Sequence, residues 1–171
     1  MSEKEKVIYL KSKLMKLSQE NMNHYKKDVF SEGIKRGRVC THSEINNTLH
    51  EMFIFSKKSK YVRPHKNKMK NKSYHIIDGL VDIIYFSKYG KINKVIHLGD
   101  YNSGFPFYLR LVDSGYHTIV TLSDVLIIKE TIDGPFKPSD TIYASWAPDE
   151  NDIEGGKAYL KSLYENIIKT S

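Results

Sequence analysis

The sequence predicts an all-β domain, a barrel or sandwich, with one helix before it and one after it. Three observations predict this. Seven short β-prone runs follow one another between residues 51 and 130, with turn signals and no helical pattern between them. Residues 3–28 are lysine-rich and carry Val7, Leu10, Leu14 and Leu17 at three- and four-residue spacing, the period of an amphipathic helix. Residues 150–171 return to a helical pattern, with Ala158, Leu160, Leu163 and Ile167 able to share one face. A chain of 171 residues, 40% hydrophobic and with few Pro and Gly, holds enough apolar material for one core.

The elements follow in order. The first helix gives way near Gly37 to the runs 51–55, 73–77, 80–86, 94–98, 105–111, 117–122 and 125–130. Tyr89-Gly90, Gly99-Asp100, Asp113-Ser114-Gly115 and Ser123-Asp124 are the turn signals between them. With no helix between strands, a parallel α/β sheet is not expected. No repeat and no linker divides the chain. The expected organisation is a helical extension over 1–35, a barrel over 36–150 and a helix over 151–171.

Charge and targeting narrow the function classes. No apolar run approaches the roughly 20 residues of a membrane span. Residues 1–16 lack an apolar signal core, and the single cysteine, Cys40, allows no internal disulfide, so a cytoplasmic setting is expected. Cys40 reads as a small buried hydrophobe. The formal charge is +7, but it comes mostly from lysine in an Asn- and Ile-rich chain. The basic stretch 57–72 therefore reads as a solvated face, and no nucleic-acid partner is expected. A positive rim that attracts an anionic small substrate is the milder expectation. Arg36, Arg38, Arg63 and Arg110 are the only arginines, each marking surface charge or a place that needs a planar fork for carboxylate or phosphate.

The segment from Tyr61 to Gly79 carries the chemistry. His65, Asn67, Lys72 and Gly79 stand at the spacing of a His-x-His, four-residue gap, Glu, six-residue gap, Gly pattern. Residues two apart share one face of a strand, so positions 65 and 67 face one pocket. Tyr116-His117-Thr118 fits the place of a last histidine. Tyr61 to His65, Tyr74-His75-Ile76-Ile77-Asp78-Gly79, Gly134-Pro135-Phe136 and Ala144-Ser145-Trp146-Ala147-Pro148 occur in an order that resembles the WbuC-type cupins, over about residues 36–150.

That resemblance implies a cupin double-stranded β-helix with a pocket at one end, in proteins associated with surface-polysaccharide biosynthesis. It also implies four metal ligands. His65 and His117 stand at the first and last, but Asn67 and Lys72 replace the second and third, so weak or no metal binding is expected. A local slip of register, with a divalent metal bound after all, is the alternative. The Lys72 ammonium in the metal's place could stabilise an enolate, hold a phosphate or carboxylate, or act as base or imine-former. Otherwise the site has decayed and Lys72 points to water.

Other candidates are weaker. Lys72 and Tyr74 share a face, and His75 faces away as a packed residue or a site residue. His24 and His97 have no companions and read as surface residues. Segment 36–51 could line the barrel mouth, with Arg38 and His42 reading a substrate, while His50 and Glu51 point apart. Tyr108 and Arg110, two apart, could face the barrel beside His117. Glu130 is a pocket carboxylate or an arginine's partner, and Trp146 a core-packing residue that plugs the barrel end.

Two functions follow from these expectations. One is a metal-free isomerase or epimerase acting on a sugar or sugar nucleotide. His65 or His117 would be the base, and Lys72, Arg63 or Arg110 would stabilise the oxygen. The other is a non-catalytic cupin that binds a small molecule or a partner. A homodimer is expected on general grounds.

Overall fold

The computed structural model describes residues 5–112 and 115–170. It contains two β-sheets facing each other and two helices. The first sheet has the order β1-β2-β3-β10-β5-β8, built from β1 (Glu5–Tyr9), β2 (Arg36–Cys40), β3 (Leu49–Lys57), β10 (Val125–Asp133), β5 (Lys72–Asp78) and β8 (Tyr108–Leu111). The second has the order β11-β4-β9-β6-β7, built from β11 (Thr141–Tyr143), β4 (His65–Asn67), β9 (His117–Thr121), β6 (Leu80–Phe86) and β7 (Ile92–Gly99). Every strand pair is antiparallel except β1 on β2.

Alternation along the strands explains the core. Tyr74, Ile76, Leu111, Leu126 and Ile128 point from the first sheet onto Val81, Ile83, Leu98 and Ile119 of the second. Residues of opposite parity on β6 and β9, Ile84, Phe86 and Val120, point outward and would be wet without a cover. Helix α2 (Ile153–Thr170) covers them with Leu160, Leu163 and Ile167. β6 therefore reads as a continuous apolar run because both of its faces are covered. On the other side, α1 (Gln19–Val29) covers Val39, Phe55 and Ile127 with Val29, Met22 and Tyr25. Ser18 and Asn21 cap α1 reciprocally: Ser18 N donates to Asn21 Oδ1 at 2.9 Å, and Asn21 N to Ser18 Oγ at 3.3 Å.

Four expectations need correction. The helix expected over 3–28 is shorter, because Glu5–Tyr9 forms a parallel edge strand and Leu14 is exposed. Val7, Ile8 and Tyr9 are strand formers, and pairing with β2 satisfies their backbone in a way a solvated helix turn cannot match. The run 105–111 is a strand only from Tyr108, preceded by Pro106, which has no N–H to give a ladder. On α2, Ala158 is exposed, and Gly156 is buried in its stead against the Tyr61 ring. Trp146 is no plug. It lies outside the second sheet, on Phe86 and Tyr116, with Nε1 donating to Lys88 O at 3.1 Å. Of the turn expected at Asp113-Ser114-Gly115, Asp113 and Ser114 lie outside the described residues.

Candidate functional site

The apolar layer between the sheets fills one end of the barrel. The other end holds a cavity of about 360 Å³, lined by β1, β2, β3, β4, β5, β9, β10 and β11. Its position follows from parity on β2. Arg36, Arg38 and Cys40 point into it, whereas Gly37 and Val39 point under α1.

His65 and His117 meet where β4 pairs with β9, directly opposite each other, with ring centroids 4.9 Å apart. His65 Nδ1 lies 3.0 Å from Arg63 O, and His117 Nδ1 lies 3.0 Å from Gly115 O. A carbonyl only accepts, so each Nδ1 carries the proton and each Nε2 carries a lone pair. His117 Nε2 is buried and has no partner. His65 lines the cavity, while His117 is wholly buried behind it. Burial pushes the His65 imidazole down to about 3, with the Lys72 charge adding to it. Burial, then Lys72, then His65 push His117 well below the usual histidine range.

Lys72 is 4% exposed, and its Nζ donates to Asn67 Oδ1 at 2.8 Å. The ammonium also lies 5.4 Å from the centroid of the Tyr74 ring. Burial lowers the Lys72 pKa, the Glu130 carboxylate opposes this, and Arg36 adds to it. Tyr74 is fully buried, and burial, then the neighbouring Glu130, raise its phenol well above the ordinary value. Lys72 and Lys70, which bonds Pro135 O, turn away from the solvated face expected of the 57–72 stretch.

Arg38, His42, Glu130 and Tyr74 all line the cavity, as His65, Lys72 and Asn67 do. Arg63 does not. Its guanidinium binds Asp149 Oδ2 at 2.5 Å and Ala144 O at 3.1 Å, clamping the segment after β11. Tyr108 and Arg110 are also outside, exposed on the edge strand β8, because Leu109 and Leu111 take the inward positions. His97 does have a companion: its Nδ1 lies 2.6 Å from Oδ1 of the buried Asp82.

Glu5, Asp133, Asp140, Tyr143 and Glu150 line the cavity and escaped the sequence reading, whereas Arg36 and His50 belong to the segment 36–51 expected at its mouth. The alternation Arg36, Arg38, Cys40, His42 is a period-two signal that could have placed Arg36 on the inward face. Nothing marked Glu5 once its strand was read as helix. His50 is stacked on His42 at 4.1 Å, a contact made by the loop between β2 and β3. The lining does not form a positive rim. Arg36, Arg38, Lys70 and Lys72 face Glu5, Glu130, Asp133, Asp140 and Glu150, so attraction for an anion is local.

The metal site implied by the resemblance does not fit these residues. Among the described residues no three His, Cys, Asp or Glu side chains come together as a metal-binding group. Asn67 Oδ1 is taken by an ammonium, whose charge repels a divalent ion from the two imidazoles. No helix among the described residues is long and apolar enough to cross a membrane.

A family model described as a domain of unknown function, DUF6016, matches residues 17–98. No curated protein matches the chain. Among solved structures, the DMSP lyase DddQ from Ruegeria pomeroyi is similar with a TM-score of 0.51 and 11% identity, over 68% of this chain and 55% of that one. The cupin domain of Cnp3 from Schizosaccharomyces pombe gives a TM-score of 0.43 and 11% identity, over 57% of this chain and 64% of that one. The capsular polysaccharide assembling protein CapF from Staphylococcus aureus gives 0.46 and 17% identity, over 59% of this chain and 29% of that one. The chain spans less than two thirds of the length of each of these structures. The likeness concerns the fold alone: two facing β-sheets in a cupin-type fold, with α1 and α2 packed on their outer faces.

Proposed function

We propose that this cupin takes a sugar, or the sugar end of a sugar nucleotide, and moves a proton on it without a metal, as an isomerase or epimerase does. The observation that carries this reading is that His65, whose Nδ1 is held by Arg63 O and whose Nε2 keeps a lone pair, lines the same cavity as the Lys72 ammonium. A cavity of about 360 Å³ is small among ligand pockets, which run from about 300 to 1,000 Å³. A sugar ring suits it, and a nucleotide would extend past the mouth. Lys72, Asn67, Tyr74 and Glu130 offer donors and acceptors for hydroxyl and carbonyl groups.

The chemistry is proton removal beside a carbonyl. His65 takes the proton at Nε2, since its Nδ1–H is held by Arg63 O. His117 backs the ring and keeps water away. The Lys72 ammonium stabilises the enolate oxygen. Burial is the larger cause of the depressed His65 imidazole and Lys72 the second; an anionic oxygen beside Lys72 offsets that second cause, so the base strengthens in part as the enolate forms. A role in surface-polysaccharide biosynthesis, in the cytoplasm and as a homodimer, rests on the motif resemblance and general expectation.

The substitution of two metal positions favours a second reading, a non-catalytic cupin that binds a small molecule or a partner. One experiment separates the two. The protein is incubated in D₂O with keto sugars and nucleotide sugars, and proton NMR follows exchange at the carbon beside the carbonyl. Exchange that His65→Gln and Lys72→Ala each reduce by about 100-fold or more supports the enzyme. Binding without exchange supports the second reading. Unchanged turnover in Lys72→Ala removes Lys72 from the mechanism, and no binding of any sugar overturns the proposal.

A further inference from the structure

Arg36 and Arg38 are two residues apart on β2, and both guanidiniums line the cavity. The carboxylate they meet comes from β1, the outermost strand. Glu5 Oε2 accepts from Arg38 Nη2 at 2.7 Å, and Glu5 Oε1 lies 3.7 Å from Arg36 Nη1. Each carboxylate oxygen therefore faces a different guanidinium. The parallel register, with Glu5 beside Arg36, sets this geometry. Burial acts to raise the Glu5 carboxyl, but the charges of Arg36 and Arg38 outweigh it and hold Glu5 below its ordinary value.

The pair belongs to the same chamber as the histidines. The charge of Arg36 acts on His65, Lys72, Tyr74 and Tyr143. A neutral ligand group cannot take the place of Glu5, because two partly buried cations would lose their counter-charge. Another carboxylate can, with the charge balance unchanged. Glu5 is also at the start of an edge strand whose strand partner is β2 alone, so its withdrawal frees only the β2 edge and leaves the other strand pairs in place.

We propose that Arg36 and Arg38 form a carboxylate-binding subsite of the cavity, with Glu5 as its built-in occupant, so that the ligand is an acidic sugar whose carboxylate replaces Glu5. This rests on the reading that the cavity takes a sugar. It adds the ligand's charge and the place of its acid group, on the opposite strand from His65. A carboxylate, with two oxygens in one plane, matches what Glu5 already does there.

The test compares the wild type and Glu5→Gln by calorimetry with four probes: D-glucuronate, D-glucose, D-glucose 6-phosphate and D-glycerate. The expected result is that Glu5→Gln binds glucuronate about tenfold or more tighter than the wild type, with glucose unaffected and glucose 6-phosphate gaining less. Arg38→Gln in the Glu5→Gln background should remove the gain. A second readout needs no variant: saturating glucuronate should speed hydrogen exchange at the amides of β1 in the wild type. Equal glucuronate affinity in both proteins, with glucose still bound, overturns the subsite and leaves the sugar reading standing. A phosphate gain as large as the carboxylate gain overturns the carboxylate assignment. A glycerate gain with no sugar bound supports the subsite and overturns the sugar reading.

Discussion

The buried His65 imidazole predicts a loss of stability in acid. It is held near 3 by burial and by Lys72, whereas an unfolded chain returns it to about 6.5. Between these values the unfolded state binds the proton and the folded state does not. Stability is therefore full above about pH 6.5 and falls as the pH drops through that window. The loss from His65 alone between about pH 8 and pH 5 is about 2 kcal/mol. His117 shifts in the same direction, and the two titrate as a pair. Urea denaturation at the two pH values measures the loss, and His65→Gln should shrink it. A pH-independent midpoint in the wild type would show that the imidazoles are not held neutral. Residue-scale chemistry was partly legible: positions 65, 67, 72 and 117 stood out through the motif resemblance, and the pairing of β4 with β9 sets His65 opposite His117. The parity that put Lys72 and Tyr74 inside and His75 outside was also legible. Arg110 and Tyr108 were misplaced because parity alone does not say which of two faces is inward, and Leu109 and Leu111 decide it by burial.

At the scale of elements, β1 depends on Gly37. A Cβ at that position would lie 2.6 Å from Lys6 O and 2.8 Å from Val29 Cγ1, against the β1 backbone on one side and α1 on the other. Gly37→Val should therefore push β1 from the sheet edge at a cost of about 1–3 kcal/mol. Hydrogen exchange should show the β1 amides losing protection while those of β6 and β9 keep theirs. Retained protection in β1 would mean that the strand is held by more than this close approach. Strands of this kind are what the sequence hid. The run 80–86 matches β6 from end to end because its apolar pattern is local. β1, β4 and β11 are short, and their partners lie far along the chain, so their residues carry little local signal. The helices were legible in kind, yet α1 starts only at Gln19, where the Ser18 and Asn21 cap supplies the N-terminal signal that residues 3–17 lack.

Across the whole molecule, the apolar core and the candidate site sit at opposite ends of the barrel. The closed end joins the two sheets through Ile76, Ile83, Leu98 and Ile128, and α2 seals the outer face. The open end holds Lys72, Glu130, the arginine pair and the neutral His65 imidazole, with His117 buried behind it, an arrangement that opposes folding unless a ligand offsets it. Replacing a buried charge by an apolar chain of similar length should then stabilise the fold. In Lys72→Met the desolvation of the ammonium disappears, and Asn67 keeps its contact from Nδ2 to Thr141 Oγ1 at 3.3 Å. The variant should match or exceed the wild-type unfolding free energy near neutral pH, by about 1 kcal/mol or more. It should also unfold with a weaker dependence on pH, because the charge that helps depress His65 and His117 has gone. Thermal and urea denaturation over the pH range measure both effects. A loss of more than about 2 kcal/mol would instead make the bond from Lys72 to Asn67 a structural tie. A gain, joined to loss of sugar binding or exchange, would show that Lys72 is kept in the cavity against the stability of the fold.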